Sequence, residues 1–209
     1  MKTSAVLIDA LLQSKSIIIN PANPFHWASG WNSPIYCDNR RTLSYPETRN
    51  LIRDAFIHLI KTDFGMPDMI AGVATGAIAH AALVADKTGL PLIYVRSSAK
   101  SHGTQSVIEG DISTGNTVVV IEDLISTGTS SLHAAQALKD AGCQVLGMVA
   151  IFTYGFSVAE QNFKDAGIKL LTITNYDELL DQALRINYIQ PADIEILHEW
   201  RKSPETWKK

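Results

Sequence analysis

Four β-branched residues in succession, Val118-Val119-Val120-Ile121, limit what this chain can fold into. Such a run has no polar face, so it suits a strand covered on both sides, as inside a parallel sheet. Glu122 and Asp123 follow directly, at the strand's carboxyl end, where open α/β sheets hold their ligands. Next come Leu124-Ile125 and the hydroxyl run Ser126-Thr127-Gly128-Thr129-Ser130-Ser131, ahead of a helical pattern over residues 132–141. Hydroxyls and a glycine before a helix leave backbone N–H groups free to receive a phosphate. The hydroxyls alone suit a capped polar turn equally well. The paired acids add something a phosphate loop does not need, a grip for a ribose with two hydroxyls or for a magnesium ion.

The rest of the chain repeats the same rhythm. Residues 69–73 read as a strand, ending in Ala74-Thr75-Gly76, with a helix through about Lys87. Strands follow at 92–95, 145–152 and 170–173, with helices at 158–165, 176–187 and 192–201, and the charged tail after Ser203 is expected to fray. Upstream, residues 3–14 have helical spacing, 17–19 form a short strand, and Pro46 opens a helix whose apolar stripe runs from Leu51 to Ile60. Strands alternating with helices predict an α/β fold, a mainly parallel twisted sheet with helices on both faces. A length of 209 residues with 46% hydrophobic content fits a single domain, 1–209.

Two segments resist that rhythm. Residues 25–30 and 33–38 are rich in aromatics, Ser and Asn, and read as two short strands around a turn at Gly30-Trp31-Asn32. They serve equally as a surface hairpin or as a lid. Residues 97–106, after Arg96, contain no apolar anchor, yet hold Lys100 and His102. A long polar loop inside a compact domain is functional, or else passive and disordered. A fixed cation beside a group that titrates near neutrality suits closure over an anion. His80 reads as a packing or surface residue rather than a ligand. The net charge of −3 argues against nucleic acid as a bulk partner, since backbone binding needs a basic face. Two distant cysteines, Cys37 and Cys143, suit free thiols in the cytoplasm. No apolar run is long enough for a membrane span and no signal sequence is evident.

Glu122-Asp123-Leu124-Ile125-Ser126-Thr127-Gly128-Thr129-Ser130 after an apolar strand resembles the ribose-phosphate motif of the type I phosphoribosyltransferases. Two further matches narrow this. Ser29-Gly30, Ser33-Pro34-Ile35-Tyr36, and Arg96 with Lys100 and His102-Gly103 resemble the orotate phosphoribosyltransferases. The resemblance implies a pentosyltransferase that moves ribose 5-phosphate from phosphoribosyl pyrophosphate (PRPP) to orotate, for pyrimidine (UMP) synthesis. It implies Mg²⁺ carried mainly by PRPP, with no direct protein ligand assigned. PRPP would meet Arg96, Lys100, His102 and residues Glu122 to Ser130, with Lys100, His102 and Asp123 catalytic. Pyrophosphate would lie at Thr75 and Gly76, and orotate at Tyr36, Cys37 and Ser126, beneath a hood formed by about 17–45. A homodimer sharing loop 97–106 across its interface is also implied.

Three positions lack a cation that family members carry: Ala28, Ser97 and the segment Phe152-Thr153-Tyr154-Gly155-Phe156. The orotate carboxylate is therefore expected to rest on the hood backbone and Ser126. Rival readings are another PRPP-dependent enzyme, such as a purine phosphoribosyltransferase, or a PRPP-sensing regulator on the same fold. The Lys100–His102 loop joined to this hood disfavours the first, and an acidic chain without a nucleic-acid recognition module disfavours the second.

Overall fold

The computed structural model describes residues 3–27, 29–97 and 107–208. After helix α1 (Thr3–Gln13) come four short strands, β1 (Ile17–Ile19), β2 (Phe25–His26), β3 (Asn32–Ser33) and β4 (Ile35–Cys37). A 3-10 turn (Asn39–Ser44) leads to α2 (Pro46–Asp63). The main series is β5 (Met69–Val73), α3 (Ile78–Thr88), β6 (Leu92–Val95), β7 (Ile108–Glu109), β8 (Thr117–Ile125), α4 (Thr129–Asp140) and β9 (Gln144–Thr153). It closes with α5 (Ser157–Asp165), β10 (Leu170–Asn175), α6 (Tyr176–Arg185) and α7 (Asp193–Lys202).

The six-stranded sheet has the order β10-β9-β8-β5-β6-β7. Every pairing in it is parallel except β6 with the edge strand β7. Val118 to Ile121 lie at its centre, all fully buried, as the unbroken β-branched run requires. From β5 the chain winds outward through α3 to β6, and from β8 the opposite way through α4 to β9. The direction reverses between β5 and β8, which leaves a crevice at their carboxyl ends. Thr75-Gly76 and Glu122-Asp123 stand on its two sides.

Strand β8 continues beyond the valines. Glu122 is paired opposite Ala150 and Leu124 opposite Phe152, so the acids belong to the strand rather than following it. Helix α4 likewise starts at Thr129, three positions ahead of the apolar pattern, because polar residues fill its exposed first turn. In α2, Pro46 occupies the first turn and Ile52, Phe56 and Ile60 form the buried ridge.

The expected hairpin is split. Phe25 and His26 pair with Ser33 and Asn32, whereas Ile35 to Cys37 pair with β1. Pro34 causes the break: it has no N–H to continue the first ladder, and its carbonyl accepts from Asn20 N–H at 2.7 Å. The tail after Ser203 is pinned, not frayed. Asn32 donates to the Lys208 carbonyl at 2.6 Å, and Lys208 Nζ to the Pro21 carbonyl at 3.2 Å. Beneath, Trp27 packs on Tyr154 and Trp200 with ring centres 5.1 and 5.6 Å away, and Trp200 Nε1 donates to Asn32 at 3.1 Å. These apolar rings with satisfied indole N–H groups fix the small strands on the main layer.

Candidate active site

The crevice between β5 and β8 opens into a cavity of about 460 Å³. Its lining brings together Thr75, Gly76, Glu122, Asp123, Leu124, Ser126, Thr127, Gly128, Thr129 and Ser130 from the expected set, with Cys37. Three expected residues lie elsewhere. Ile125 is fully buried in the core, because strand alternation turns it away from Leu124 and Ser126. Tyr36 is outside the lining, exposed beside Phe25 at 5.7 Å between ring centres. Arg96 pairs with Glu109 at 3.4 Å, across the β6–β7 edge and away from the lining. Lys100 and His102 fall outside the described residues, as does Ala28.

Glu122 is only 6% exposed. Its Oε2 accepts from Ser131 Oγ at 2.7 Å and its Oε1 from the Asp123 N–H at 2.9 Å. Each oxygen keeps a further lone pair for a ligand hydroxyl. Burial, with the Asp123 charge next to it, pushes the Glu122 carboxyl above the usual range. Burial also raises Asp123, and the Arg40 guanidinium works against that rise. Two adjoining carboxyls in a partly dry crevice are costly to ionise together, so the site favours ligands that donate hydrogen bonds or carry positive charge.

The hydroxyl turn is built as a cradle. Gly128, at φ 79°, precedes α4, and a Cβ there would meet the Phe163 ring at 2.7 Å. Only glycine combines that backbone with that closeness. Thr127 and Thr129 hydroxyls lie 3.1 Å apart, and Asn162 Nδ2 holds the Thr127 carbonyl at 2.9 Å. The first-turn N–H groups of α4 lack intrahelical acceptors, which makes this end receptive to a phosphate.

Sequence reading missed a latch and a cation. Asn39 is buried and donates to the Asp123 carbonyl at 2.7 Å across 84 residues; a lone Asn in a polar segment gives no such signal. Arg40 lines the cavity and is paired with Asp38. An acid and an arginine two apart, just past a strand, were the available clue.

Under the latch, His80 is 1% exposed and its Nε2 lies 3.4 Å from Thr42 Oγ1. It packs, and burial lowers its pKa to about 4. The unfolded chain therefore takes up a proton below about pH 6.5 that the native state refuses until about pH 4. Stability from this group is full above pH 6.5 and declines as pH falls. His80→Gln is expected to flatten the urea-stability difference between pH 7 and pH 5 by about 2 kcal/mol. An unchanged slope would mean that His80 is not held neutral.

Among the described residues, no cluster of three or more His, Cys, Asp or Glu is arranged to hold a metal. No described helix is long and apolar enough to cross a membrane.

The model of the phosphoribosyl transferase domain family matches residues 43–177. Orotate phosphoribosyltransferase from Porphyromonas gingivalis is 57% identical over 208 residues, 99% of each chain. The crystal structure of the Aeropyrum pernix orotate phosphoribosyltransferase superposes with TM-score 0.76 at 28% identity, over 88% of this chain and 99% of that one. UMP synthase of Leishmania donovani superposes with TM-score 0.79 at 26% identity over 95% of this chain, which spans only 42% of that longer protein. With acids, hydroxyl turn and Cys37 lining one crevice, and with likeness along its full length, the chain belongs to the phosphoribosyltransferase family, in the branch of the orotate phosphoribosyltransferases.

Proposed function

We infer that the chain transfers ribose 5-phosphate from PRPP to orotate, giving orotidine 5′-phosphate (OMP) and pyrophosphate. The observation that carries this is one cavity lined by a phosphate-receptive helix end, two acids and a hood residue. As pyrophosphate leaves, positive charge builds on ribose carbon 1. A preorganised carboxylate at Asp123 stabilises that charge more than the neutral ground state. Asp123 and Glu122 accept from the ribose hydroxyls, and Ser126 to Ser130 take the 5-phosphate. Thr75-Gly76 receives the pyrophosphate side, and Cys37 and Ser126 border the base.

The donor set suits Mg²⁺ arriving on the polyphosphate rather than caged by protein, since Glu122 and Asp123 are committed to the ribose hydroxyls and two carboxylates supply too few of the oxygens that the ion's octahedral shell takes. Bound that way, the ion would neutralise part of the pyrophosphate charge. Free Cys37 and Cys143 support a reducing, cytoplasmic setting. The test is product formation from PRPP with orotate, uracil, adenine and hypoxanthine offered separately. Orotate should be the preferred acceptor, and turnover of a purine without orotate turnover would overturn the reading.

The roles of Arg96, Lys100 and His102 in meeting pyrophosphate rest on the resemblance, as does the shared homodimer. With Lys100 acting across the interface, a Lys100→Ala dimer and an Asp123→Asn dimer should each be nearly inactive. Subunit exchange would then create one site with both defects and one intact. Random mixing should restore roughly a quarter of normal activity. No recovery after proven exchange would put Lys100 in its own subunit's site.

A further inference from the structure

Arg40 is the one Lys, Arg or His among the described residues lining the cavity, where it faces the acids Asp38, Glu122 and Asp123. Its placement is not loose. Nε donates to Asp38 Oδ1 at 2.6 Å and Nη2 to Asp38 Oδ2 at 3.0 Å, while the Arg40 N–H also reaches Oδ1 at 3.2 Å. The Asp38 side chain is 18% exposed and that of Arg40 60%. One edge of the guanidinium is therefore anchored by a well-covered acid, and the remainder stays accessible.

A guanidinium has five N–H donors, and Asp38 uses one from Nε and one from Nη2. Nη1 makes no hydrogen bond among the described residues. The Nη1–Nη2 edge keeps a parallel pair of donors, the geometry that matches a second carboxylate. The clamp removes most of the side chain's freedom beforehand, which lowers the entropic cost of binding.

Position favours the base over the phosphates. Arg40 follows β4 closely, on the hood side of the cavity with Cys37. The phosphate-receptive N–H groups belong to β8–α4 on the main sheet. The Arg40 guanidinium also lies near enough to Asp123 to feel its charge, so it stands beside the ribose acid.

We propose that Arg40, clamped by Asp38, binds the carboxylate of the base and so sets the preference for a carboxylated pyrimidine. It supplies the cation missing from Ala28, Ser97 and residues 152–156. The proposal rests on the orotate reading given above, and its test is arranged to fail separately.

The probes are OMP and UMP, which differ by that carboxylate, titrated calorimetrically into wild type and Arg40→Gln. Losing a hydrogen-bonded charge pair should weaken OMP about ten- to a hundredfold and leave UMP within about twofold. The KM for PRPP should hold. Arg40→Lys, with charge but no fork, should fall between. Because Arg40 is mostly exposed, these variants should melt with wild type. Equal weakening of both nucleotides would assign Arg40 to the phosphoribosyl side, and an unchanged OMP preference would remove it from recognition; either overturns the proposal. If wild type ignores orotate but uses another base, the orotate reading fails instead.

Discussion

Asp123→Asn is expected to lower kcat/KM for PRPP by at least about a hundredfold and to leave the melting temperature unchanged or raised. The first effect follows from charge. The substitution keeps the volume and the Asn39 latch, which uses the backbone carbonyl, but removes the carboxylate proposed to face the developing positive centre. Losing one preorganised electrostatic partner commonly costs about a hundredfold or more in rate. The second effect follows from burial, which raises the Asp123 pKa. A raised acid binds its proton more tightly in the native state, so at neutral pH the fold holds the ionised form at a cost. An amide is free of that cost. Opposite changes in activity and stability are what a site strained for function produces. Near-normal activity would sink the ribose assignment, and a fall of several degrees would sink the burial argument.

What could be read in the chain beforehand was whatever one segment decides alone. The valine run decides a central strand because no polar side chain offers it an exposed face. Pro46 decides a helix start because it gives up an N–H that the first turn does not use. The hydroxyl turn decides a phosphate-receptive end for the same local reason. What escaped was decided between distant segments. Nothing near Asn32 indicates Lys208, and nothing near Asn39 indicates Asp123. The break at Pro34 was legible in principle, since a proline cannot continue a ladder, but the partner that Ile35 to Cys37 chose instead lies at Ile17 to Ile19. Arg40 belongs to the same class. Its worth comes from Asp38, which is local, and from the cavity formed by β5 and β8, which is not.

Gly76→Ala should cost nearly as much activity as removing the Asp123 charge, though residue 76 donates no side chain. An added Cβ would lie 2.6 Å from Asp123 Cγ and 2.9 Å from its Oδ1. Neither separation is tolerable between heavy atoms, so the carboxylate must swing away or the Thr75-Gly76 turn must retreat. Glycine is needed here for closeness and not for a left-handed backbone. The close approach lets one ligand touch both the turn and the acid, and a misplacement near 1 Å can cost about a hundredfold. Stability should suffer less, because Asp123 is a short side chain bordering a cavity and can rotate. A double-mutant cycle isolates the cause. If the methyl acts by displacing the carboxylate, Gly76→Ala on an Asp123→Ala background should cause little further loss of activity. The shortened side chain should also relieve most of the drop in melting temperature. Additive losses in both quantities would show that Gly76 acts through its own backbone, and the contact with Asp123 would then be incidental.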